Sequence, residues 1–362
     1  MSKTEQGRPP GTTTERTGHK APTIRDVARE AGVSIGTVSK ALNGAGALKA
    51  ETRERVIGIA RKMGFRPNDL AQSLHRGQSF TVGLISNDSF GRFTMPIMEG
   101  LERELAAERI AVFMSNATDD PERERQHIDQ LMGKRVDGLV FTARRADRRP
   151  SLTTNVGDLP RLYVFSQSDD PDSFCLLPDD EGGARLATEH LIGLGCRRVA
   201  HVTGPEHFEA VRLRLKGYHD ALDAAGLDPD PSRIIKGVWS EQWGREAIGI
   251  LFADPTTAPD GIVCGNDQIG RGVLEALRDL KIPVPGSVRV VGFDNWDVMT
   301  EAARPRLTSI DMNLYDLGRE AGRRIIRMIG GETFKGVLRL PCTLVVRESC
   351  GGTPNEHKGQ ET

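Results

Sequence analysis

The sequence predicts an α/β protein that carries a short all-helical region at its amino end. Between residues 81 and 294, short apolar runs such as "TVGLIS" and "VDGLVF" alternate with longer amphipathic segments. This alternation is typical of parallel strands that have helices on both faces. Before residue 66 the apolar residues follow only a helical spacing. At 362 residues the chain is also long enough for two or three domains.

Composition and cysteine usage limit the setting in which the protein works. Hydrophobic residues make up 38% of the chain, and no apolar run approaches the roughly 20 residues of a membrane helix, so no membrane partner is expected. The first 20 residues are polar and rich in Gly, Pro and Thr, which favours a disordered tail over a signal peptide. Five widely spaced cysteines without a CxxC motif favour free thiols in the reducing cytoplasm.

Positive charge is concentrated at the amino end. Residues 1–80 contain 14 Lys and Arg but only 7 Asp and Glu, whereas the whole chain has a net charge of −1. The remaining residues therefore carry a net negative charge. Such asymmetry indicates an amino-terminal module that binds a polyanion.

The segment "TIRDVAREAGVSIGTVSKALNG", residues 23–44, predicts two short helices joined by a tight turn. Thr23 and Asp26 match a capping box at the start of the first helix. Gly32 suits the left-handed turn, and Ser34 suits the N-cap of the second helix. A third helix is predicted over "ETRERVIGIARKMGF", where apolar residues recur at helical spacing. This helix-turn-helix, together with the local positive charge, favours DNA binding over other three-helix bundles.

These motifs resemble those of the lactose-repressor-like (LacI/GalR) family of bacterial transcription regulators. The resemblance lies in "DVAREAGVSIGTVSKALNG", "ETRERV" and "GFRPNDLAQSLHRG", and continues in order with "KRVDGLVF", "GGARLATEHLIGLG", "CGNDQIGRGVL" and "VVGFDN". It covers residues 23 to 350. It implies a helix-turn-helix head and a hinge helix, joined to a periplasmic-binding-protein-like core of two doubly wound parallel α/β subdomains. A small effector is then expected in the cleft between the subdomains.

Domain boundaries follow from this organisation. The chain is expected to comprise a disordered tail at 1–20, a helix-turn-helix domain at 21–66, a hinge helix or linker at 67–79, an effector-binding and dimerisation core at 80–350, and a flexible tail at 351–362. The core is expected to divide into subdomains near 80–178 and 179–305, with crossovers toward its carboxyl end. A homodimer would place two heads on adjacent half-sites of a pseudo-palindromic operator.

The resemblance implies that the second helix enters the major groove of double-stranded DNA. Its first, second and sixth positions usually face bases, and here they are Ile35, Gly36 and Lys40. Ile35 suits a thymine methyl and Lys40 suits guanine O6 and N7, whereas Gly36 has no side chain with which to read a base. Phosphate contacts that orient the head are expected from Thr23, Ser34, Thr37 and Asn43.

The segment "RPNDLAQSLHRGQS", residues 66–79, predicts a helix too short to be stable alone. The resemblance implies that this hinge orders when two copies meet over the operator centre, where Leu74 wedges into the minor groove and kinks the duplex. Ala71 would let the paired helices approach closely. Two positions depart from the family: His75 replaces a frequent Lys or Arg, and Lys49 replaces a Ser that would cap the third helix.

Five side chains are expected to bind the effector. Ligands of open α/β sheets lie beyond the carboxyl ends of the strands. Three polar or aromatic residues stand at the carboxyl ends of the runs "IIKGVW", "GIVCGN" and "VVGFDN": Trp239, Asn266 and Asp294. Trp239 supplies a ring for stacking, Asn266 an amide that donates and accepts, and Asp294 a carboxylate that accepts from hydroxyls. The resemblance adds Phe93, at a position that lines the pocket in relatives, and Arg214, at the ligand-binding arginine position.

Other roles stay open for two of these residues. Trp239 can belong to the core or to a subdomain interface, and Asp294 can cap a helix or pair with Arg214. Phe208 and Ala210 stand where purine-binding relatives have polar contacts, which favours a carbohydrate effector over a purine corepressor.

The sequence contains no motif that indicates an enzyme, a metal or a cofactor. It has no GxGxxG after a strand, no P-loop and no HExxH. We therefore expect a cytoplasmic, sequence-specific repressor that is controlled by a sugar or sugar derivative. Two alternatives stay open: a corepressor-dependent regulator that senses a non-sugar metabolite, and a phosphosugar sensor. The basic run "ARRADRR" at 143–149 suits the phosphosugar, although it also suits a solvated loop.

Overall fold

The computed structural model describes residues 22–42, 44, 46–65, 78–152 and 154–352. The chain divides into two compact units, Met1–Gly77 and Gln78–Thr362. The tail expected at 1–20 and nearly all of the segments at 67–79 and 351–362 lie outside the described residues, as do four predicted DNA-binding residues: Asn43, Ala71, Leu74 and His75.

The described residues of the first unit form three helices around a small apolar core. They are α1 (Ile24–Ala31), α2 (Ile35–Leu42) and α3 (Ala50–Lys62). Val27, Val38 and Val56, one from each helix, are fully buried together. Helix α3 starts without a side-chain cap at Lys49, as its sequence predicts.

The turns of this unit form as the local sequence dictates. The exposed Thr23 accepts a hydrogen bond from the backbone N–H of Asp26, whose carboxylate accepts one from the N–H of Thr23 at 2.9 Å, so the capping box is complete. Gly32 ends α1 with a φ of 60° in the left-handed region. Ser34 Oγ then accepts from the N–H of Thr37 at 3.1 Å at the start of α2. The predicted helix-turn-helix is confirmed.

The strands of the second unit are short and mostly buried. They are β1 (Thr81–Ser86), β2 (Ala111–Asn116), β3 (Gly138–Thr142), β4 (Arg148–Arg149), β5 (Arg161–Val164), β6 (Gln167–Ser168), β7 (Phe174–Pro178), β8 (Val199–Thr203), β9 (Ile234–Lys236), β10 (Gly261–Cys264), β11 (Arg289–Phe293), β12 (Thr308–Asp311), β13 (Gly336–Leu340) and β14 (Thr343–Val345).

Helices alternate with most of these strands. They are α4 (Thr94–Ala107), α5 (Pro121–Gly133), α6 (Asp180–Gly193), α7 (Glu209–Ala224), α8 (Glu241–Leu251), α9 (Asp267–Asp279), α10 (Asp297–Thr300) and α11 (Leu314–Ile329). None of the helices in the described part of the chain has the length and apolarity needed to span a bilayer. All five cysteines are free thiols, and four of them are buried.

The strands form two six-stranded sheets. The first has the order β13-β7-β5-β3-β1-β2, and all its neighbours are parallel. The second has the order β14-β12-β11-β10-β8-β9, in which only β12 and β14 are antiparallel. Strands β4 and β6 pair separately. The two doubly wound α/β halves agree with the predicted fold class.

The chain passes between the two sheets three times. It leaves the first after β7, returns after β12 to add β13, and ends in the second with β14. The second sheet therefore includes β12, which ends at Asp311, and β14, both beyond the boundary expected near residue 305. Strand β12 lacks an apolar pattern because Thr308 and Ser309 are polar but buried. Their hydroxyls are satisfied by hydrogen bonds: Thr308 Oγ1 donates to the carbonyl of Arg347 at 3.1 Å, and Ser309 Oγ donates to Asp267 Oδ1 at 2.5 Å.

Candidate functional site

Helix α2 presents a polar, exposed face opposite its core residues. Ile35, Gly36 and Lys40 are exposed, and 46% of the Ile35 surface is accessible. Thr37 is half-buried, with Oγ1 2.9 Å from Ser34 Oγ. The face thus combines one methyl-bearing group, two hydroxyls and one cation. These groups match the chemistry of base edges and phosphates in a DNA groove.

A cleft of about 670 Å³ opens in the second unit, lined by loops that follow strands of both sheets. Its volume is in the range of small-molecule sites. All five predicted effector residues line it: Phe93, Arg214, Trp239, Asn266 and Asp294. They converge because the carboxyl ends of parallel strands in both sheets open onto the same cleft.

The walls of the cleft are rich in aromatic rings. Phe93 is stacked on Phe165 with ring centroids 4.8 Å apart. On another wall the centroids of Phe208 and Trp239 are 6.3 Å apart, and Ala210 adds further apolar surface. Six aromatic side chains line the cleft, including two of the three tryptophans. Flat apolar faces of this kind suit the C–H faces of sugar rings or the faces of bases.

Trp239 has both of the roles that its sequence left open. The half-buried indole packs against the apolar core of the second subdomain and also lines the cleft. It lies so close to the backbone of Gly204 that a Cβ there would overlap the ring. Glycine at this position therefore fixes how deep the indole sits.

Arg214 is buried in a network of polar groups, with 5% of its surface exposed. Its Nε donates to Asp180 Oδ1 at 2.8 Å, and Nη1 donates to the carbonyl of Gly265. Its Nη2 is 3.8 Å from Asp294 Oδ1, so the expected pair with Asp294 exists but is the weaker of the two. The sequence did not indicate Asp180, which is the main partner.

Asp294 lies on a strained turn. Its φ is 102° and that of Asn295 is 49°, both in the left-handed region that non-glycine residues rarely adopt. The turn is held by hydrogen bonds from the Asp294 N–H to the Ile310 carbonyl at 2.9 Å and from the Asn295 N–H to Ser309 Oγ at 3.1 Å. Strain of this kind is concentrated at functional sites. Asp294 caps no helix, because α10 has Trp296 at its N-cap.

Asn266 has less freedom than its sequence suggested. Its Oδ1 caps α9 by accepting from the N–H of Ile269 at 2.9 Å. One lone pair of this oxygen is thus used by the helix cap, and the NH₂ group lies 3.5 Å from Gln268 Oε1. Its expected hydrogen bonds to a ligand stay a prediction.

Asp267, which the sequence did not indicate, fixes the loop that carries Trp296. The buried carboxylate accepts from the N–H of Trp296 at 2.7 Å and from the hydroxyl of Ser309. Burial, together with the nearby charge of Asp294, raises the pKa of Asp267 well above its usual range. Burial also raises the pKa of Asp294, although the charges of Arg92 and Arg214 oppose that rise.

Arg92 is a third residue of the site that sequence reasoning missed, after Asp180 and Asp267. It follows β1, and its guanidinium donates to Asp294 Oδ2, which follows β11 in the other sheet. The strand-end rule that identified Asp294 applies equally to the loop after β1. The rule does not show which polar residue of the loop after β1 contacts the residues that follow the strands of the second sheet.

The basic run "ARRADRR" is divided between two places. Arg149 pairs with Glu124 at 2.5 Å outside the cleft, whereas Arg144, which pairs with Asp119 at 2.6 Å, lies on the cleft lining. Arg145 lines the cleft and has no carboxylate partner among the described residues. Within those residues, no three His, Cys, Asp or Glu side chains are grouped to hold a metal.

Sequence comparisons match both units. The pattern of bacterial regulatory proteins of the lacI family matches residues 23–68, and that of a periplasmic binding protein-like domain matches residues 188–350. Catabolite control protein A of Priestia megaterium is 30% identical over 329 residues, which cover 90% of this chain and 98% of that protein. The HTH-type transcriptional repressor CytR of Escherichia coli K12 is 28% identical over 335 residues, covering 92% and 98%.

Comparison of structures gives similar neighbours. The lac repressor dimer bound to operator and the anti-inducer ONPF is 27% identical, with a TM-score of 0.72, over 91% of this chain and 99% of that chain. The transcriptional regulator CelR in complex with cellobiose is 29% identical, with a TM-score of 0.62, over the same shares. These relatives and neighbours are transcriptional regulators and not enzymes.

Proposed function

Because the chain belongs to the LacI family of bacterial regulatory proteins, which are DNA-binding transcription regulators, we propose a function of the same kind. The protein is an operator-binding repressor that is controlled by a small molecule in its cleft. The observation that carries the proposal is the convergence of five polar and aromatic side chains from both sheets on one cleft. Coupling between such a cleft and operator binding is typically worth about 1–3 kcal/mol.

The proposed effector is a sugar or a sugar derivative. Its hydroxyls would bind the Asp294 carboxylate, the Arg214 guanidinium and the Asn266 amide, while Phe93 and Trp239 stack on its ring faces. The apolar Phe208 and Ala210 support a sugar over a purine, and one structural neighbour is a cellobiose complex. A corepressor that is not a sugar stays an alternative. A phosphosugar is a further alternative, which is favoured by Arg145 because this cleft residue has no carboxylate partner among the described residues.

We propose that the working form is a homodimer in the cytoplasm, with two heads on a pseudo-palindromic operator. The support is the presence of exposed apolar side chains on the edge strand β2 of the first sheet and at the start of α4. Phe113 and Met114 on β2 are 44% and 40% exposed, and Met95 at the start of α4 is 47% exposed. One neighbour is a repressor dimer on its operator. The minor-groove wedge at Leu74 remains a prediction.

The experiment is selection of binding sites from random DNA, followed by mobility-shift titration with a panel of mono- and disaccharides and their phosphates. We expect pseudo-palindromic sites and a shift in DNA affinity with one class of sugar. Mixed-sequence DNA of equal length is the control. Equal binding to selected and random DNA, with no response to any compound, would contradict the proposal.

A further inference from the structure

Both carboxylate oxygens of Asp294 face guanidinium groups. Arg92 donates to Oδ2, and Arg214 Nη2 is 3.8 Å from Oδ1. The Arg92 and Asp294 side chains are 15% and 7% exposed, so their pair is largely shielded from water. A ligand hydroxyl that approaches Oδ2 of Asp294 therefore competes with Arg92, which already donates to this oxygen.

Arg92 is the arginine that can move. Arg214 is additionally held by Asp180 and by the carbonyl of Gly265. The guanidinium of Arg92 has no carboxylate partner other than Asp294 among the described residues. It lies 4.8 Å from the ring centroid of Phe93 and 4.1 Å from that of Trp296.

The backbone of the two loops around Arg92 is held by hydrogen bonds that do not involve the Arg92 side chain. The backbone N–H groups of Phe93 and Thr94 donate to Asp88 Oδ2 at 2.8 and 3.0 Å, which sets the loop after β1. On the other side, the N–H of Trp296 donates to Asp267 at 2.7 Å. Two aromatic rings and one carboxylate thus form a slot on loops whose backbone is held by these hydrogen bonds, none of which involves the Arg92 side chain.

We propose that Arg92 is an internal competitor of the effector, which binds Asp294 by displacing the Arg92 guanidinium from this slot. The slot selects a flat group with adjacent hydrogen-bond donors, such as neighbouring hydroxyls of a sugar ring lying between Phe93 and Trp296. Arg92 is thereby a specificity-determining residue that sets the affinity threshold. This inference rests on the proposed function of the cleft.

The first test replaces Arg92 by methionine, which keeps the unbranched apolar part of the side chain but removes the guanidinium and its donors. The sugar that emerges from the panel should bind Arg92→Met about tenfold more tightly than wild type, because a charge-assisted bond no longer competes. Arg148→Met, at an exposed arginine on β4, is the matched control. Weaker or unchanged sugar binding by Arg92→Met in calorimetric titration would overturn the proposal.

The second test needs no sugar. In Arg92→Ala the slot should accept methylguanidinium, which would be seen as a saturable change in tryptophan fluorescence and a rise in melting temperature. Wild type and the double variant Arg92→Ala/Asp294→Asn should not respond. Equal responses of all three proteins, or no response of Arg92→Ala, would contradict the slot. Methylguanidinium binding without binding of any sugar would instead contradict the proposed function alone.

Discussion

At the scale of single residues, Asp294 brings together strain, charge and position. Its backbone is held in the left-handed region, and its carboxylate lies between two arginines from different elements. A residue with only a structural role has no need of this arrangement, since Asp294 caps no helix. The residue is therefore the point at which a change in the cleft has the largest expected consequence.

Asp294→Asn should abolish the response to effector and leave operator affinity near that of wild type. The loss of a charged acceptor is expected to weaken effector binding by about tenfold or more. Titration of operator with and without effector measures both quantities. Asp297→Asn, at an exposed residue three positions further on, is the matched control. A variant that keeps its effector response would exclude Asp294 from the binding site.

Lys40→Ala should weaken binding to the selected operator more than binding to random DNA. A contact to a base edge contributes about 1–3 kcal/mol of discrimination, whereas a phosphate contact contributes equally to every sequence. Lys62→Ala removes the same charge from the exposed end of α3 and should reduce both affinities alike. Equal losses for Lys40→Ala on both DNAs, in mobility-shift titrations, would show that it reads no base.

His201 gives the second subdomain a pH-dependent stability. Burial lowers the pKa of this fully buried imidazole from its ordinary value of 6.5 to about 4, and its Nδ1 is 3.1 Å from the Val263 carbonyl. The unfolded chain binds a proton below pH 6.5 that the folded chain accepts only near pH 4. The contribution of His201 to the free energy of unfolding is therefore fully present above pH 6.5 and decreases as the pH falls toward 4.

The expected loss from this group is about 2 kcal/mol at pH 5. His201→Phe should reduce the difference in unfolding free energy between pH 7.5 and pH 5, measured by urea denaturation. His207→Phe, in the loop after β8, is the matched control. An unchanged pH dependence in His201→Phe would show that other groups cause it.

At the scale of elements, pairs of helices cross through glycines. A Cβ at Gly100 in α4 would overlap the carbonyl of Tyr315, and one at Gly318 in α11 would overlap that of Ile97. Helices α4 and α11 belong to distant parts of the sequence, so this crossing ties the returning segment to the first sheet. The same kind of contact brings Gly217 of α7 against the backbone of α6.

Gly100→Ala should therefore destabilise the protein by about 1–3 kcal/mol, because the helices must separate to admit a methyl group. Gly133→Ala, at the end of α5 where an added Cβ meets nothing within 4 Å, is the matched control and should be neutral or slightly stabilising. Urea unfolding curves measure both. Equal stability of the two variants would show that the crossing can relax.

At the scale of the whole molecule, the exposed apolar edge of the first sheet predicts self-association. Met114→Glu should raise the dimer dissociation constant by about tenfold or more, since a charge would be buried without a partner. Sedimentation velocity over a range of concentrations measures this. Leu194→Glu, at an exposed leucine after α6, is the matched control. A dimer unaffected by Met114→Glu would place the interface elsewhere.

The sequence alone determined what depends on local patterns. The helix-turn-helix follows from caps and helical spacing that act within a few residues, and the alternation of strands and helices follows from local apolar periodicity. The strand-end rule was sufficient to bring Trp239, Asn266 and Asp294 to one cleft, because in parallel sheets the carboxyl ends open on the same side.

Only the tertiary structure decided what depends on contacts between distant residues. Arg92 and Asp294 are 202 positions apart, and no local pattern indicates that they meet. Strand β12 was missed because its buried polar residues are satisfied by partners from other elements. The oxygen of Asn266 also caps a helix, which its position after a strand did not indicate. Local preferences therefore bring the groups to the cleft, and long-range pairing determines which of them a ligand must displace.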